Sequence, residues 1–172
     1  MLLVGGASRR FGSPKALAEL DGETLAERAW RILGEACEER IAVGKEGDRL
    51  PLPFPLVDDA CDVRAPIAGV IAGLRAARNG TCVFLPVDCP YITAESVRRL
   101  AAAAPAAVPT GPLPGAYRPD ILLALERKLT RGDYSLRDLH GTVVDIADAE
   151  LANVNTLAEL EALTSGVRPL PF

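Results

Sequence analysis

The chain has 172 residues, 49% of them hydrophobic, and its 19 basic and 23 acidic residues leave a net charge of -4. That length suits one domain with a buried core, and that apolar content excludes a disordered chain. The acidic balance excludes a general nucleic-acid or membrane-surface role, because those partners select basic faces. The uncharged apolar stretch Ala65 to Leu74 is far shorter than the ~20 residues that span a bilayer. The opening apolar run stops at Gly5 and arginines follow it rather than lead it, so no secretory signal is expected and the reading is a soluble cytoplasmic protein. Cys37, Cys61, Cys82 and Cys89 form no C-x-x-C pair and His140 is the only histidine. Incidental or buried thiols are expected rather than a zinc site, whose ligands usually come in close pairs.

Met1 to Val4 reads as a strand, followed by a loop from Gly5 to Lys15. Ala16 to Leu20 is a short ordered connection, closed by the turn Asp21-Gly22. Leu25, Ala29, Trp30, Leu33, Ala36 and Cys37 recur at helical spacing opposite Glu27, Arg28, Arg31 and Glu35, which predicts an amphipathic helix from Glu23. Trp30 lies on its apolar face and is read as core. Arg40 to Gly44 is a second strand, ending in a polar loop. Pro51, Pro53 and Pro55 stiffen the connection to a third strand, Pro55 to Val57, which delivers Asp58 and Asp59. The run from Ala65 to Leu74 predicts a helix with proline in its first turn and small residues for close packing on a sheet. Thr81 to Pro86 is apolar on both faces, as a central parallel strand should be. Asp88 sits just past it, and Thr93 begins the next helix. A further strand is expected from Ala106 to Pro109. The segment from Pro109 to Pro119, with four prolines and two glycines, reads as an irregular crossing over the site. A helix from Asp120 to Thr130, a strand over 142–147, a last helix from Leu157 to Leu163 and a surface tail complete the chain.

Alternating strands and helices indicate an open, largely parallel α/β sheet covered on both faces, a three-layer Rossmann-like arrangement forming one domain over residues 1–172. Ligands of such sheets bind beyond the carboxyl ends of the strands. The Gly5–Lys15 loop, Asp58 and Asp88 all fall at such ends.

Gly5 and Gly6 let the backbone approach an anion closely, and Arg9, Arg10 and Lys15 concentrate positive charge that a purely structural turn does not need. The spacing fits neither a P-loop nor a dinucleotide fingerprint. A polyanion would relieve the repulsion among these cations, and cations so placed would neutralise charge during phosphoryl or nucleotidyl transfer. One carboxylate, Asp88, beside phosphate oxygens and water suits Mg²⁺, although a loop aspartate preceding a helix has the same spacing. Asp58-Asp59 is either a solvated turn or a contact to the ribose or base of a nucleotide. Asn153 and Asn155 share a face if their segment is extended. Alternatively they are turn formers ahead of a Thr156 helix cap.

The stretch LVGGASRRFGSPKAL resembles the opening signature of the molybdenum cofactor guanylyltransferase family, L-x-G-G-x-S-x-R-x-G-x-x-K. The similarity continues in DDACDVRAPIAGV, LPVDCPYIT, PLPGAYRPDIL and LANVNTLAEL, in the family's order and over nearly the whole chain. The resemblance implies a GT-A-like nucleotidyltransferase fold and Mg²⁺-dependent transfer of GMP from GTP to molybdopterin with release of pyrophosphate. It implies that Leu3, Val4, Gly5 and Gly6 contact the nucleotide, the first three through backbone groups at the guanine. Arg10 and Lys15 would hold the triphosphate, Asp58 the nucleotide and Asp88 the magnesium. Asn153 and Asn155 would lie near the acceptor and the metal, and a pterin-delivering protein is the partner to expect. The sequence departs from the family pattern where Gly44-Lys45 replaces a usual asparagine, where Ala65 replaces a glycine, and in a short Pro105–Tyr117 region. Two other readings stand beside this one: a relative using CTP or another nucleotide on the pterin or on a sugar or alcohol phosphate, and a non-catalytic nucleotide-binding module.

Overall fold

A computed structural model describes residues 1–5, 13–139 and 141–164. Gly6, Arg9, Arg10, His140 and the tail after residue 164 therefore lie outside the described residues. The strands are β1 (Leu2–Leu3), β2 (Glu19–Leu20), β3 (Glu23–Thr24), β4 (Ala42–Gly44), β5 (Leu56–Asp58), β6 (Cys82–Pro86), β7 (Ala106–Val108), β8 (Gly111–Tyr117) and β9 (Thr142–Val143). The helices are α1 (Leu25–Ala36), α2 (Pro66–Ala76), α3 (Ala94–Ala102), α4 (Leu122–Thr130) and α5 (Leu157–Thr164). Among the described residues, seven strands form one sheet in the order β5-β4-β1-β6-β8-β7-β9. The half from β5 to β6 is parallel. β8 runs antiparallel to both of its neighbours, and β9 is parallel to β7.

Side-chain alternation along the central strands separates two apolar layers. Leu2, Val4, Val83 and Leu85 pack with α1 and α3, whereas Met1, Leu3, Cys82 and Phe84 pack with α2 and α4. The small residues of α2 permit close approach: a Cβ at Gly73 would stand 2.6 Å from the Phe84 ring, and one at Gly69 2.9 Å from Leu3 Cδ2. A third cluster, Leu20, Leu25, Val154 and Leu160, fastens α5 and the segment before it to α1 and the β2–β3 hairpin. That hairpin turns at Asp21-Gly22, both with positive φ, the conformation that tight two-residue hairpins require. Trp30 stacks on Phe54 with ring centroids 4.2 Å apart and packs against the α1 layer.

The region from Pro109 to Pro119 differs from the expected irregular crossing, for it contains β8, a strand inside the sheet. Gly115, Ala116 and Tyr117 pair with Phe84, Val83 and Cys82 of β6. On the other side the register with β7 shifts between Ala107 and Val108. Pro112 and Pro114 fall where that ladder is interrupted, so their missing N–H groups do not break a regular run of pairs. The strand expected over 142–147 pairs as β9 only at Thr142 and Val143, because its partner β7 ends at Val108. Among the described residues no helix is long and apolar enough to cross a membrane.

The α1 start is fixed by a capping box: Thr24 Oγ1 accepts from the Glu27 backbone N–H and Glu27 accepts from the Thr24 N–H. We expect Thr24→Ala to lower stability by about 1 kcal/mol in urea titrations and Thr24→Ser to restore most of it.

Candidate functional site

Leu3 of β1 lies in register with Pro86 of the neighbouring parallel strand β6. The chain leaving β1 and the chain leaving β6 therefore emerge side by side, above the carboxyl edge of the sheet. The first returns at Lys15, the start of a short 3-10 turn, Lys15–Leu17, held by Leu17 N–H to the Pro14 carbonyl. The second reaches Asp88. Lys15 Nζ lies 3.3 Å from Asp88 Oδ2 and donates to Asn155 Oδ1 at 3.2 Å. Three segments remote in sequence thus meet at one ammonium group. They border a cavity of about 590 Å³ whose floor includes Leu3, Val4, Gly5, Val43 and Gly44. Gly44 is needed there for space, since a Cβ would stand 2.8 Å from Val4 Cγ2.

Asn153 and Asn155 both line this cavity. Between them Val154 is buried, and its N–H donates to the Asp88 carbonyl at 2.9 Å. Alternation about that buried residue places both amides on the cavity side. Thr156 simultaneously caps α5, with Thr156 Oγ1 accepting from Glu159 N–H and the Glu159 carboxylate accepting from Thr156 N–H. The two sequence-based alternatives for these asparagines are thus compatible. Upstream, Glu150 Oε2 accepts from Thr93 N–H, Thr93 Oγ1 and Ser96 Oγ at 3.1, 2.8 and 2.7 Å, clamping the chain that leads to Asn153 onto the start of α3. Burial pushes the Glu150 carboxyl up, but these bonds outweigh it and hold the group below its ordinary value.

The two adjacent aspartates separate. Asp58 does not line the cavity; its Oδ1 accepts from the Glu46 and Ala60 N–H groups at 3.4 and 3.3 Å, a turn contact. Asp59 lines it instead. Lys45 Nζ donates to Asp59 Oδ1 at 2.9 Å and Oδ2 at 3.1 Å, and also to the Cys61 carbonyl. The pair is largely enclosed, with side-chain exposures of 15% and 8%. Close by, the Arg64 guanidinium grips Asp48 at 2.6 and 3.1 Å and holds that carboxyl below its ordinary value. Arg64 and Ala65 both border the cavity. Sequence reasoning weighed Asp58 and Asp59 together and gave the nucleotide role to Asp58, and it passed over Arg64 and Cys89 as site residues. A lysine at the end of one strand and an aspartate just after the next parallel strand was the available signal for Asp59.

Cys89 follows Asp88 and is buried at the cavity wall. Its Sγ lies 3.1 Å from Asn153 Oδ1. Burial, reinforced by the adjacent Asp88 carboxylate, pushes its thiol up to about 12. All four cysteines are free thiols. Among the described residues no group of three or more His, Cys, Asp or Glu side chains could hold a metal ion. A single carboxylate on the cavity wall, as Asp88 is, is the kind of donor that a hydrated Mg²⁺ uses together with the oxygens of a phosphate ligand.

The sheet and its strand-end cavity belong to the nucleotidyltransferase class of α/β folds. A crystal structure described as molybdopterin-guanine dinucleotide biosynthesis protein A from Archaeoglobus fulgidus shares this fold, with a TM-score of 0.73 and 22% identity over 95% of both chains. A family model described as MobA-like NTP transferase domain matches residues 1–146, and the chain belongs to that family. A molybdenum cofactor guanylyltransferase from Burkholderia ambifaria is 40% identical over 111 residues, covering 60% of this chain and 54% of that protein. The match therefore spans about half the length of that relative. A probable molybdenum cofactor guanylyltransferase from Opitutus terrae is 35% identical over 150 residues, covering 79% of this chain and 74% of that protein. The family match ends before Asn153 and Asn155, so the amides reach the cavity from outside the matched segment.

Two outcomes are expected from this geometry. Lys45→Met leaves the enclosed Asp59 without its cation and should cost about 3 kcal/mol in urea titrations, whereas Lys45→Met combined with Asp59→Asn should recover much of the loss. For Glu150, whose folded value is depressed, stabilisation is present above the ordinary 4.5 and lost as pH falls through the folded value. The stability difference between wild type and Glu150→Gln should therefore be full at neutral pH and shrink below about pH 4.5.

Proposed function

We propose that residues 1–172 form a nucleotidyltransferase domain that transfers GMP from GTP to the terminal phosphate of molybdopterin, releasing pyrophosphate in a cytoplasmic setting. The observation that carries this reading is the meeting of Lys15, Asp88 and Asn155 at one edge of the cavity. It brings a phosphate-binding cation, a carboxylate suited to a hydrated cation and an amide within reach of the same ligand. The names of the Burkholderia and Opitutus relatives support the choice of guanine and of the pterin acceptor.

In this reading an acceptor phosphate oxygen attacks the α-phosphorus of GTP. The new P–O bond forms as the bond from that phosphorus to the β-phosphate bridging oxygen breaks, and pyrophosphate leaves. The attacking oxygen is already anionic, so no general base is required; alignment and charge neutralisation carry the rate. Lys15 supplies a fixed positive charge at the triphosphate, joined by Arg10 from the same loop. Leu3, Val4 and Gly5 present backbone groups to the base at the floor of the cavity. Asp59, rather than Asp58, faces the nucleotide half, and Lys45 takes the place of the family's usual asparagine. Asp88 would hold magnesium, which when bound supplies further neutralisation of the phosphate oxygens. Asn153 and Asn155 orient the acceptor, delivered by a partner protein that carries the pterin.

The test is pyrophosphate release from GTP, CTP, ATP and UTP, each with and without molybdopterin. Release from GTP alone, dependent on the pterin and on Mg²⁺, is expected; equal release from all four nucleotides overturns the guanine assignment. Asp88→Ala and Lys15→Met should each lower kcat by about 10²-fold or more while keeping a wild-type circular dichroism spectrum. Full activity in Asp88→Ala would remove its role as metal ligand.

A further inference from the structure

Cys89 is buried, yet it stands at the cavity wall beside Asp88, with Sγ 3.1 Å from Asn153 Oδ1. A thiol offers one hydrogen and two acceptors stand near it, Asn153 Oδ1 at 3.1 Å and Asp88 Oδ1 at 3.9 Å; the nearer amide oxygen takes it, so Cys89 donates and Asn153 accepts. This bond decides which edge of the Asn153 amide faces the ligand. With its oxygen turned to the thiol, Asn153 presents Nδ2–H₂ to the cavity it lines. Asn155 follows the same rule two residues later, for its oxygen accepts from Lys15 Nζ at 3.2 Å. The two side chains share a face because Val154 between them is buried and tied to the Asp88 carbonyl. Both amide oxygens are thus directed at protein donors, and what remains toward the cavity is a pair of N–H edges. Such a pair complements phosphate oxygens and does not complement a cation, which needs the oxygen edge.

We propose that Cys89 is a positioning residue that sets the Asn153 amide with its N–H edge to the cavity, so that Asn153 and Asn155 bind the anionic phosphate of the acceptor and do not ligate the metal. This rests on the reading of the cavity as a nucleotidyl-transfer site. Serine in place of Cys89 keeps a donor on a slightly shorter arm. Valine keeps the apolar volume and removes the donor. The pair separates orientation of the amide from simple filling of space.

The experiment compares wild type, Cys89→Ser and Cys89→Val in two measurements, with thermal midpoints confirming that each is folded. In the first, the Asn153 side-chain amide resonances, identified by their loss in Asn153→Asp, are followed by ¹⁵N–¹H NMR as inorganic phosphate is added. They should shift in wild type and Cys89→Ser and stay nearly still in Cys89→Val. In the second, the KM for the acceptor should rise about tenfold in Cys89→Val and return toward wild type in Cys89→Ser, as expected for one hydrogen bond to an anion. The Kd for GTP and the affinity for Mn²⁺, read from the electron paramagnetic resonance of free Mn²⁺, should be the same in all three proteins. Equal phosphate-induced shifts in all three, or a loss of Mn²⁺ affinity in Cys89→Val, overturns the inference. Wild type that transfers no nucleotide, yet shows the donor-dependent phosphate shift, overturns the proposed reaction and leaves the positioning role standing.

Discussion

The ion pair between Lys15 and Asp88 depends on a single feature of topology, the parallel adjacency of β1 and β6. Parallel neighbours send their carboxyl ends to the same edge of a sheet, so the loop after one strand and the turn after the other compete for the same space. Opposite charge on the two turns that competition into attraction. The 3.3 Å separation is achieved with both side chains only partly exposed, 14% for Lys15 and 27% for Asp88. A pair so placed is screened less than one on the open surface, and it holds two groups close that would otherwise be separated by long flexible side chains. The rest of the site is arranged around it: the amides of the C-terminal segment on one side, the cavity floor of β1 and β4 on the other.

A second pair of ionic contacts builds the opposite wall. Lys45 follows β4 and Asp59 follows β5, again parallel neighbours, and their contact repeats the logic of Lys15 and Asp88 one step along the sheet. Its effect differs because the ammonium is saturated by the carboxylate and by the Cys61 carbonyl. Lys45 acts here as a brace more than as an offered charge. The Arg64–Asp48 contact braces the same loop from its far end, so the chain that enters α2 is held at both ends before Pro66 begins the helix.

Much of this was legible in the sequence, and the failures are physical. The α1 periodicity, Pro66 at the start of α2, the apolar run of β6 and the Asp21-Gly22 turn are local signals, and each appears where local chemistry puts it. The β8 strand was not legible, because four prolines between Pro109 and Pro119 argue against a strand unless the ladder is known to be broken beside them. That break lies in the pairing with β7, which no local pattern reports. Asp58 and Asp59 illustrate the same limit at the site. Strand alternation guarantees that adjacent residues face opposite ways, but only the register of β5 with β4 decides which one faces the cavity. Asp58 pairs opposite Gly44 at the strand end and closes a turn, which leaves Asp59 for Lys45. Cys89 was invisible for a different reason: a thiol acquires meaning only when its acceptor, 64 residues away in sequence, is known.

The C-terminal segment carries the remaining step. Nothing in the sheet requires residues 153–155 to lie at the cavity, since among the described residues no strand pairs with them. They are brought there by apolar burial of Val154 within a cluster that also contains Leu20, Leu25 and Leu160, by one backbone bond to Asp88 and by the Glu150 clamp on α3. Each of these contacts is individually modest, so docking of the segment is a sum of small terms that loss of one anchor can unbalance. The hydrogen bond from the Val154 N–H to the Asp88 carbonyl also ties the segment bearing the amides to the turn bearing the carboxylate. The position of the Asp88 turn and the position of Asn153 and Asn155 on the cavity wall are therefore not independent. The Asp88 side and the amide side of the cavity are in this way joined through one peptide group.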